Sequence, residues 1–144
     1  ESSKGFEQFL YKKIKGIGFK VPILIHKSAV VSPYAKLGEG TCVMARAIIN
    51  PGAKIGNNAI INSGSIIEHD CIIGDNVQIS PGTILAGNVK VKNNTFLGIG
   101  SNIIQGVTIG ENVIIGAGAV VLNDIPDNSI VVGVPAKVIK TKEN

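Results

Sequence analysis

The chain has 144 residues and a net charge of +4; 44% of its residues are apolar and only 4% are aromatic. This length predicts one domain, whose core must be built from Ile, Val, Leu and Ala. The eighteen glycines and six prolines are too many for a helical domain and lack the period of collagen. The lysines are scattered, which argues against nucleic-acid binding, and no apolar run approaches the roughly 20 residues of a membrane span.

The first predicted element is a short amphipathic helix from residue 6 to residue 17. Five apolar side chains recur at helical spacing and share one face: Phe6, Phe9, Leu10, Ile14 and Ile17. The glycines at positions 16 and 18 end the helix. Two roles are open for it, either covering the open base of the repeat that follows or taking part in function.

A strict repeat of six residues follows, from Ile25 to Pro126. The first position of each hexad is a branched aliphatic residue in seventeen successive hexads, and the fifth position is mostly small. Because a helix repeats at 3.6 residues and a strand at two, a period of six fits neither element alone. It indicates a short strand followed by a turn, stacked coil on coil at roughly 4.8 Å.

The hexads break at Pro126, so the last residues are predicted to close the top of the repeat and fold back. The sequence thus predicts three parts. Residues 1–24 form the helix and a linker, residues 25–126 form the repeat domain, and residues 127–144 form a closing segment.

The hexads resemble those of the hexapeptide-repeat acyltransferases, which fold as a left-handed parallel β-helix of triangular cross-section. The resemblance covers about Ile25 to Ile139 and implies three hexads per coil, hence just under six coils. The predicted class is therefore all-β, with one short N-terminal helix. The hand comes from the resemblance, because the general preference for right-handed crossovers would give the opposite one.

His69 is the candidate general base. It occupies the third position of its hexad, which faces outward near a corner, and Asp70 follows it. Asp70 can accept a hydrogen bond from one ring nitrogen and leave the other free to take a proton. An exposed histidine without a role is the alternative.

Gly87 is the predicted neighbour of His69 in the next coil, since three hexads per coil place residue n beside residue n+18. A glycine there removes a side chain next to the base and exposes a backbone N–H that can stabilise an oxyanion. The alternative is a glycine that only serves a turn.

Charge and cysteine content indicate the compartment and the type of ligand. The only cysteines, Cys42 and Cys71, occupy different hexad positions, which disfavours a disulfide and favours the cytoplasm. The register places neither beside His69, so we expect no acyl-enzyme. The modest positive charge suits an anionic ligand such as a nucleotide or a coenzyme phosphate.

Four segments closely resemble sugar acetyltransferases of the sialic-acid O-acetyltransferase (NeuD-like) and bacillosamine-pathway N-acetyltransferase (PglD-like) group: INSGSIIEHDCIIGD, SPGTILAGN, FLGIGSNIIQGVTIGENVIIGAGAVV and VVGVPAKVI. The resemblance implies an enzyme of glycan or polysaccharide biosynthesis that transfers acetyl from acetyl-CoA directly to a sugar amine. O-acetylation of sialic acid or another sugar hydroxyl is the alternative.

The same resemblance assigns the site residues. His69 corresponds to the base, Asp70 to the acid that orients it, and Gly87 to the amide that meets the thioester carbonyl. Asn62 corresponds to the residue near the reacting group of the acceptor. Acetyl-CoA is expected along a groove between subunits of a homotrimer, at the positions Ile99, Gly116, Ala117, Pro135 and Lys137.

Two departures from that group affect the acceptor. Many members carry a second histidine where this chain has Gln78, and glutamine can hydrogen-bond to substrate but cannot exchange a proton near neutral pH. Members also begin with a small α/β domain that holds the sugar nucleotide, whereas residues 1–24 match only its last helix. Either the chain is the catalytic part of a longer protein, or its substrate is bound differently.

Two other functions are open on the sequence. γ-Class carbonic anhydrases share the fold but need three histidine ligands, and this chain offers His69 and, more than two coils away, His26. We therefore expect no metal site, and a structural role for His26. A non-catalytic β-helix that serves as an assembly subunit is the other alternative.

Overall fold

The computed structural model describes residues 3–143, in which one helix precedes nineteen strands. Seventeen of these strands are two residues long: β1 (Leu24–Ile25), β2 (Val30–Val31), β3 (Lys36–Leu37), β4 (Cys42–Val43), β5 (Ile48–Ile49), β6 (Lys54–Ile55), β7 (Ile60–Ile61), β8 (Ile66–Ile67), β9 (Ile72–Ile73), β10 (Gln78–Ile79), β11 (Ile84–Leu85), β12 (Lys90–Val91), β13 (Phe96–Leu97), β14 (Asn102–Ile103), β15 (Thr108–Ile109), β16 (Ile114–Ile115) and β17 (Val120–Val121). The remaining elements are α1 (Ser3–Ile17), β18 (Ser129–Val132) and β19 (Lys137–Thr141). Among residues 3–143, no helix has both the length and the apolar character needed to span a bilayer.

The strands form the three sides of a prism. The first sheet runs β1-β4-β7-β10-β13-β16-β18-β19, the second runs β17-β14-β11-β8-β5-β2, and the third runs β15-β12-β9-β6-β3. Strands β1 to β17 pair in parallel with partners 18 residues away, as Ile61 does with Ile79. The predicted parallel β-helix of just under six coils is confirmed, and its left hand stays a prediction from the family resemblance.

The interior is filled by the first positions of the hexads, as predicted, and also by the small fifth positions. In one coil, Ile61, Ile67 and Ile73 point inward from the three sheets and are at most 2% exposed. The fifth-position residues Ala59, Ser65 and Cys71 are fully buried beside them. Because no coil lies below the first one in the described chain, Ile25 in β1 is 49% exposed.

Each coil turns three corners, and each corner has its own composition. The glycine corner joins the first sheet to the second and contains Gly64, Gly82, Gly100 and Gly118. The His69 corner joins the second sheet to the third and contains Gly52, His69, Asp70, Gly87 and Asn88. The asparagine corner joins the third sheet to the first and contains Asn58, Asn76, Asn94 and Asn112.

The asparagine corner is stabilised by its own side chains. Asn58 and Asn76 have φ angles of 52° and 55°, in the left-handed region that Asn tolerates better than most residues. Asn58 Nδ2 donates to Asn76 Oδ1 at 2.8 Å, and Asn76 Nδ2 donates to Asn94 Oδ1 at 3.3 Å. This ladder links successive coils on the outside of the prism.

Helix α1 lies along the side of the prism and does not cover its base. Lys15 Nζ lies 2.9 Å from Glu39, near the bottom, while Gln8 Nε2 donates at 3.2 Å to Asn94, three coils higher. The predicted apolar face, which includes Phe6 at 64% and Phe9 at 58% exposure, is turned outward. The expectation of a base-covering helix is therefore wrong, because polar side chains and not the apolar stripe attach this helix.

The C-terminal segment folds back as predicted. Strand β18 pairs in parallel with β16, and β19 then pairs antiparallel with β18, which extends the first sheet. Ala136 N donates to Val120 O at 2.8 Å, so the turn between β18 and β19 lies above the glycine corner.

We predict that Asn76→Ala, which removes two ladder hydrogen bonds, lowers the free energy of unfolding by about 3 kcal/mol. The left-handed backbone costs a residue with a Cβ roughly 1 kcal/mol, and each lost ladder hydrogen bond costs about 1 kcal/mol. Urea unfolding at fixed protein concentration measures the change. Asn76→Gly keeps the backbone freedom without the ladder and should lose less, so equal losses in both variants would contradict this explanation.

Candidate functional site

His69 and Asp70 form a hydrogen-bonded pair at the end of β8. His69 Nδ1 lies 3.0 Å from Asp70 Oδ2, and both side chains are more than half exposed. With Nδ1 donating to the carboxylate, Nε2 is left as the proton acceptor. The predicted contact between these two side chains is present.

Gly87 lies directly against the imidazole, one coil above it. A Cβ built on Gly87 would lie 2.6 Å from Cε1 and 3.1 Å from Cδ2 of His69, far inside van der Waals contact. In the described part of the chain, the Gly87 N–H donates to no other residue. The ring therefore occupies the space that glycine leaves free, beside an amide that remains available to a ligand.

Gly52, on the coil below, lies against Asp70 as Gly87 lies against His69. Sequence reasoning missed this contact. A Cβ on Gly52 would lie 3.1 Å from Cγ of Asp70, and Asp70 N donates to Pro51 O at 3.1 Å. Two glycines thus leave room for the histidine–aspartate pair from above and below. The sequence signal was available, because Gly52 precedes Asp70 by one coil of 18 residues.

Asn62 and Gln78 lie together, but away from His69. They line a cleft of about 180 Å³ on the first sheet, and Glu7 of α1 lines it as well. His69 is at the corner opposite this sheet. One side of the prism, roughly 20 Å for six residues in extended conformation, separates it from Asn62. Within one chain, Asn62 and Gln78 do not join His69, Asp70 and Gly87.

The glycine corner presents a bare groove beside this cleft. Gly64, Gly82, Gly100 and Gly118 all have positive φ angles, of 65° to 68°, and a Cβ on any of them would meet no atom within 4 Å. Ile99, which is 62% exposed, lies in this column.

The residues expected to contact acetyl-CoA gather at the same corner. Ala117 follows Ile99 by one coil, and Gly116 precedes Ala117. Pro135 and Lys137 flank Ala136, whose N–H donates a hydrogen bond to Val120 O. They therefore lie above the groove. Gly87 is the exception, since it lies at the His69 corner.

Neither cysteine is suited to act as a nucleophile. Cys71 is fully buried, its Sγ donates to Ala86 O at 3.1 Å, and burial raises the pKa of its thiol to about 11. Burial, followed by the charge of Glu7, also raises the pKa of Cys42. Since the thiolate is the reactive form, this arrangement favours direct transfer.

His26 is remote from the site, and its ring contacts Ser28, two residues along the chain. Its Nδ1 lies 2.9 Å from Ser28 Oγ, and Ser28 N donates to the same nitrogen at 3.1 Å. Across residues 3–143, no three His, Cys, Asp or Glu side chains are grouped so that they could hold a metal ion.

The sequence matches the family described as bacterial transferase hexapeptide (six repeats) over residues 34–69, 52–87 and 88–123, more than half of the chain. The chain belongs to this hexapeptide-repeat transferase family. No curated protein sequence gave a match.

Several solved structures are similar to this hexapeptide-repeat protein over nearly its whole length. PerB from Caulobacter crescentus, solved with CoA and GDP-perosamine, is 47% identical with a TM-score of 0.90, and the match covers 92% of this chain and 64% of PerB. A histidine-to-alanine variant of GDP-perosamine N-acetyltransferase from the same organism is 45% identical with a TM-score of 0.88, over 95% and 64% of the two chains.

The acetyltransferase domain of PglB from Neisseria gonorrhoeae, solved with acetyl coenzyme A, is similar as well. It is 39% identical with a TM-score of 0.92, over 94% of this chain and 66% of that one. The chain therefore spans slightly less than two thirds of the length of these three relatives.

We predict that Gly87→Ala displaces the His69 ring without unfolding the protein. The new methyl group takes the space of the imidazole, whereas the flexible histidine side chain can rotate away. The His69 ring signals in a 1H–15N NMR spectrum should shift while the melting temperature stays close to that of the wild type. Gly16→Ala is the control, because a Cβ there meets nothing within 4 Å; unchanged ring signals in Gly87→Ala would contradict the observed packing.

Proposed function

We propose that this protein is an acetyl-CoA-dependent acetyltransferase that acts on the primary amine of a nucleotide-linked amino sugar. The observation that carries the proposal is the group formed by His69, Asp70 and the free amide of Gly87. The similarity to PerB, solved with CoA and GDP-perosamine, and to the PglB domain, solved with acetyl coenzyme A, supports both the donor and the acceptor class.

The residues of the His69 corner supply the chemistry of a direct transfer. As the nitrogen of the acceptor amine attacks the thioester carbonyl carbon, Nε2 of His69 accepts a proton from that amine. The Gly87 N–H donates to the carbonyl oxygen as negative charge develops there. Asp70 accepts the Nδ1–H bond and stabilises the imidazolium. The new C–N bond replaces the C–S bond, and the proton held by Nε2 is available to the departing thiolate.

We infer that the working form is a homotrimer with three sites between subunits. The predicted substrate residues Asn62 and Gln78 and the groove with Ile99 belong to other parts of the prism than the His69 corner. A second protomer that brings its His69 corner against the cleft and groove of the first would complete the site and exclude water from it.

We place the enzyme in the cytoplasm, in glycan or polysaccharide biosynthesis. The two thiols of the described chain are free, which suits a reducing compartment. The sugar-nucleotide ligand of PerB supports the biosynthetic role.

We predict that His69→Ala lowers kcat for acetyl transfer to GDP-perosamine by about 10²- to 10⁴-fold, the usual contribution of a general base. Release of the CoA thiol measures turnover. Acetyl-CoA should still raise the melting temperature of this variant, because a ligand that binds only the folded state stabilises it. His26→Ala is the matched control and should keep wild-type turnover.

A near-normal kcat in His69→Ala would contradict the assignment of His69 as the general base. A wild-type protein whose melting temperature does not respond to acetyl-CoA would instead support a non-catalytic assembly role.

A further inference from the structure

Glu7 brings a carboxylate into the cleft that holds Asn62 and Gln78, a contact that no pattern in the sequence predicts. Gln78 Nε2 donates to Glu7 Oε2 at 2.6 Å, although the two residues are 71 positions apart. Both side chains are half-buried. Among residues 5–143, Glu7 forms no ion pair, so no cation of those residues neutralises the carboxylate that lines the cleft.

The polar atoms left free in the cleft favour a ligand that donates hydrogen bonds. Because Gln78 uses its amide N–H₂ on Glu7, its Oε1 remains an acceptor, as does Glu7 Oε1. Asn62 Oδ1 accepts from Ser63 N at 2.8 Å, which leaves the Asn62 N–H₂ as the amide donor. Ile60 and Phe96 form the apolar part of the wall.

The cleft opens beside the groove of the glycine corner. Asn62 and Ser80 line the cleft, and each is followed at once by a residue of that corner, Ser63 and Pro81. A group held in the cleft therefore lies next to the column in which acetyl-CoA is expected.

We propose that this cleft binds the amino group of the acceptor and that Glu7 makes the site select an amine over a hydroxyl. The inference rests on the proposed function and names the residue that selects the amine. An amino group is cationic or donates two N–H bonds, which matches the Glu7 carboxylate and the Gln78 carbonyl. A hydroxyl is neutral and donates one bond, so it leaves the carboxylate without a counter-charge.

If Glu7 served only to attach α1 to the prism, removing its charge would not change which ligand the cleft prefers. Glu7→Gln keeps an oxygen that can accept from Gln78 and removes only the charge. Lys15→Met is the complementary variant. It removes the 2.9 Å contact that attaches α1 to Glu39 and leaves the cleft intact.

The test measures the binding of two ligands by calorimetry: GDP-perosamine, and its analogue with a hydroxyl in place of the amine. We expect the wild type to bind the amine at least tenfold more tightly, as expected for a charge-assisted hydrogen bond. Glu7→Gln should lose most of that preference, and Lys15→Met should keep it. All three proteins should have similar melting temperatures and similar affinity for acetyl-CoA.

The inference is overturned if the wild type binds the two ligands equally or binds neither, or if Glu7→Gln keeps the full preference. Acetyl transfer by the wild type, followed separately by thiol release, tests the proposed function itself. Amine-selective binding without turnover would therefore refute the enzyme and leave the cleft assignment standing.

Discussion

The backbone hydrogen bonds between coils, which pair strands β1 to β17 with partners 18 positions away, are the constraint on which the rest of the structure depends. Parallel pairing such as Ile61 with Ile79 fixes which side chains stack, and the inward Ile, Leu and Val residues keep that register across the chain. A slip by one residue would bring polar side chains into the interior, so the register is strongly specified. The contact of His69 with Gly87 is a direct consequence of this pairing.

The inward face of each side of the prism is committed to the core, so the chemistry of the molecule lies at the corners and, for the cleft with Gln78, on the outward face of the first sheet. Each corner uses the same left-handed turn but presents different groups outward. Asparagines link coils at one corner, glycines leave an open groove at the second, and His69 with Asp70 lies between two glycines at the third. A single protomer therefore carries two incomplete parts of a site at separate places on the prism, which is the physical basis for proposing a shared site.

The hexad repeat was sufficient to predict the coil, its core and the stacking of His69 on Gly87, because a fixed period translates directly into neighbours in space. The position of α1 could not be predicted in this way. Its apolar stripe is the strongest local signal, yet Glu7, Gln8 and Lys15 make the polar side-chain contacts with the prism. Those contacts join distant residues through flexible polar side chains, for which a single sequence has no periodic signal. A single chain also does not show the role of Asn62 and Gln78, because they lie on a different part of the prism from His69.

The most direct test of a site shared between protomers is activity in mixed assemblies. His69→Ala protein and a cleft variant carrying Asn62→Ala and Gln78→Ala would be unfolded together, refolded together and assayed for acetyl transfer. Co-refolding should restore activity that neither parent has, because some interfaces would pair an intact His69 corner with an intact cleft. A mixture no more active than its parents, with mixed oligomers demonstrated by mass spectrometry, would contradict a shared site.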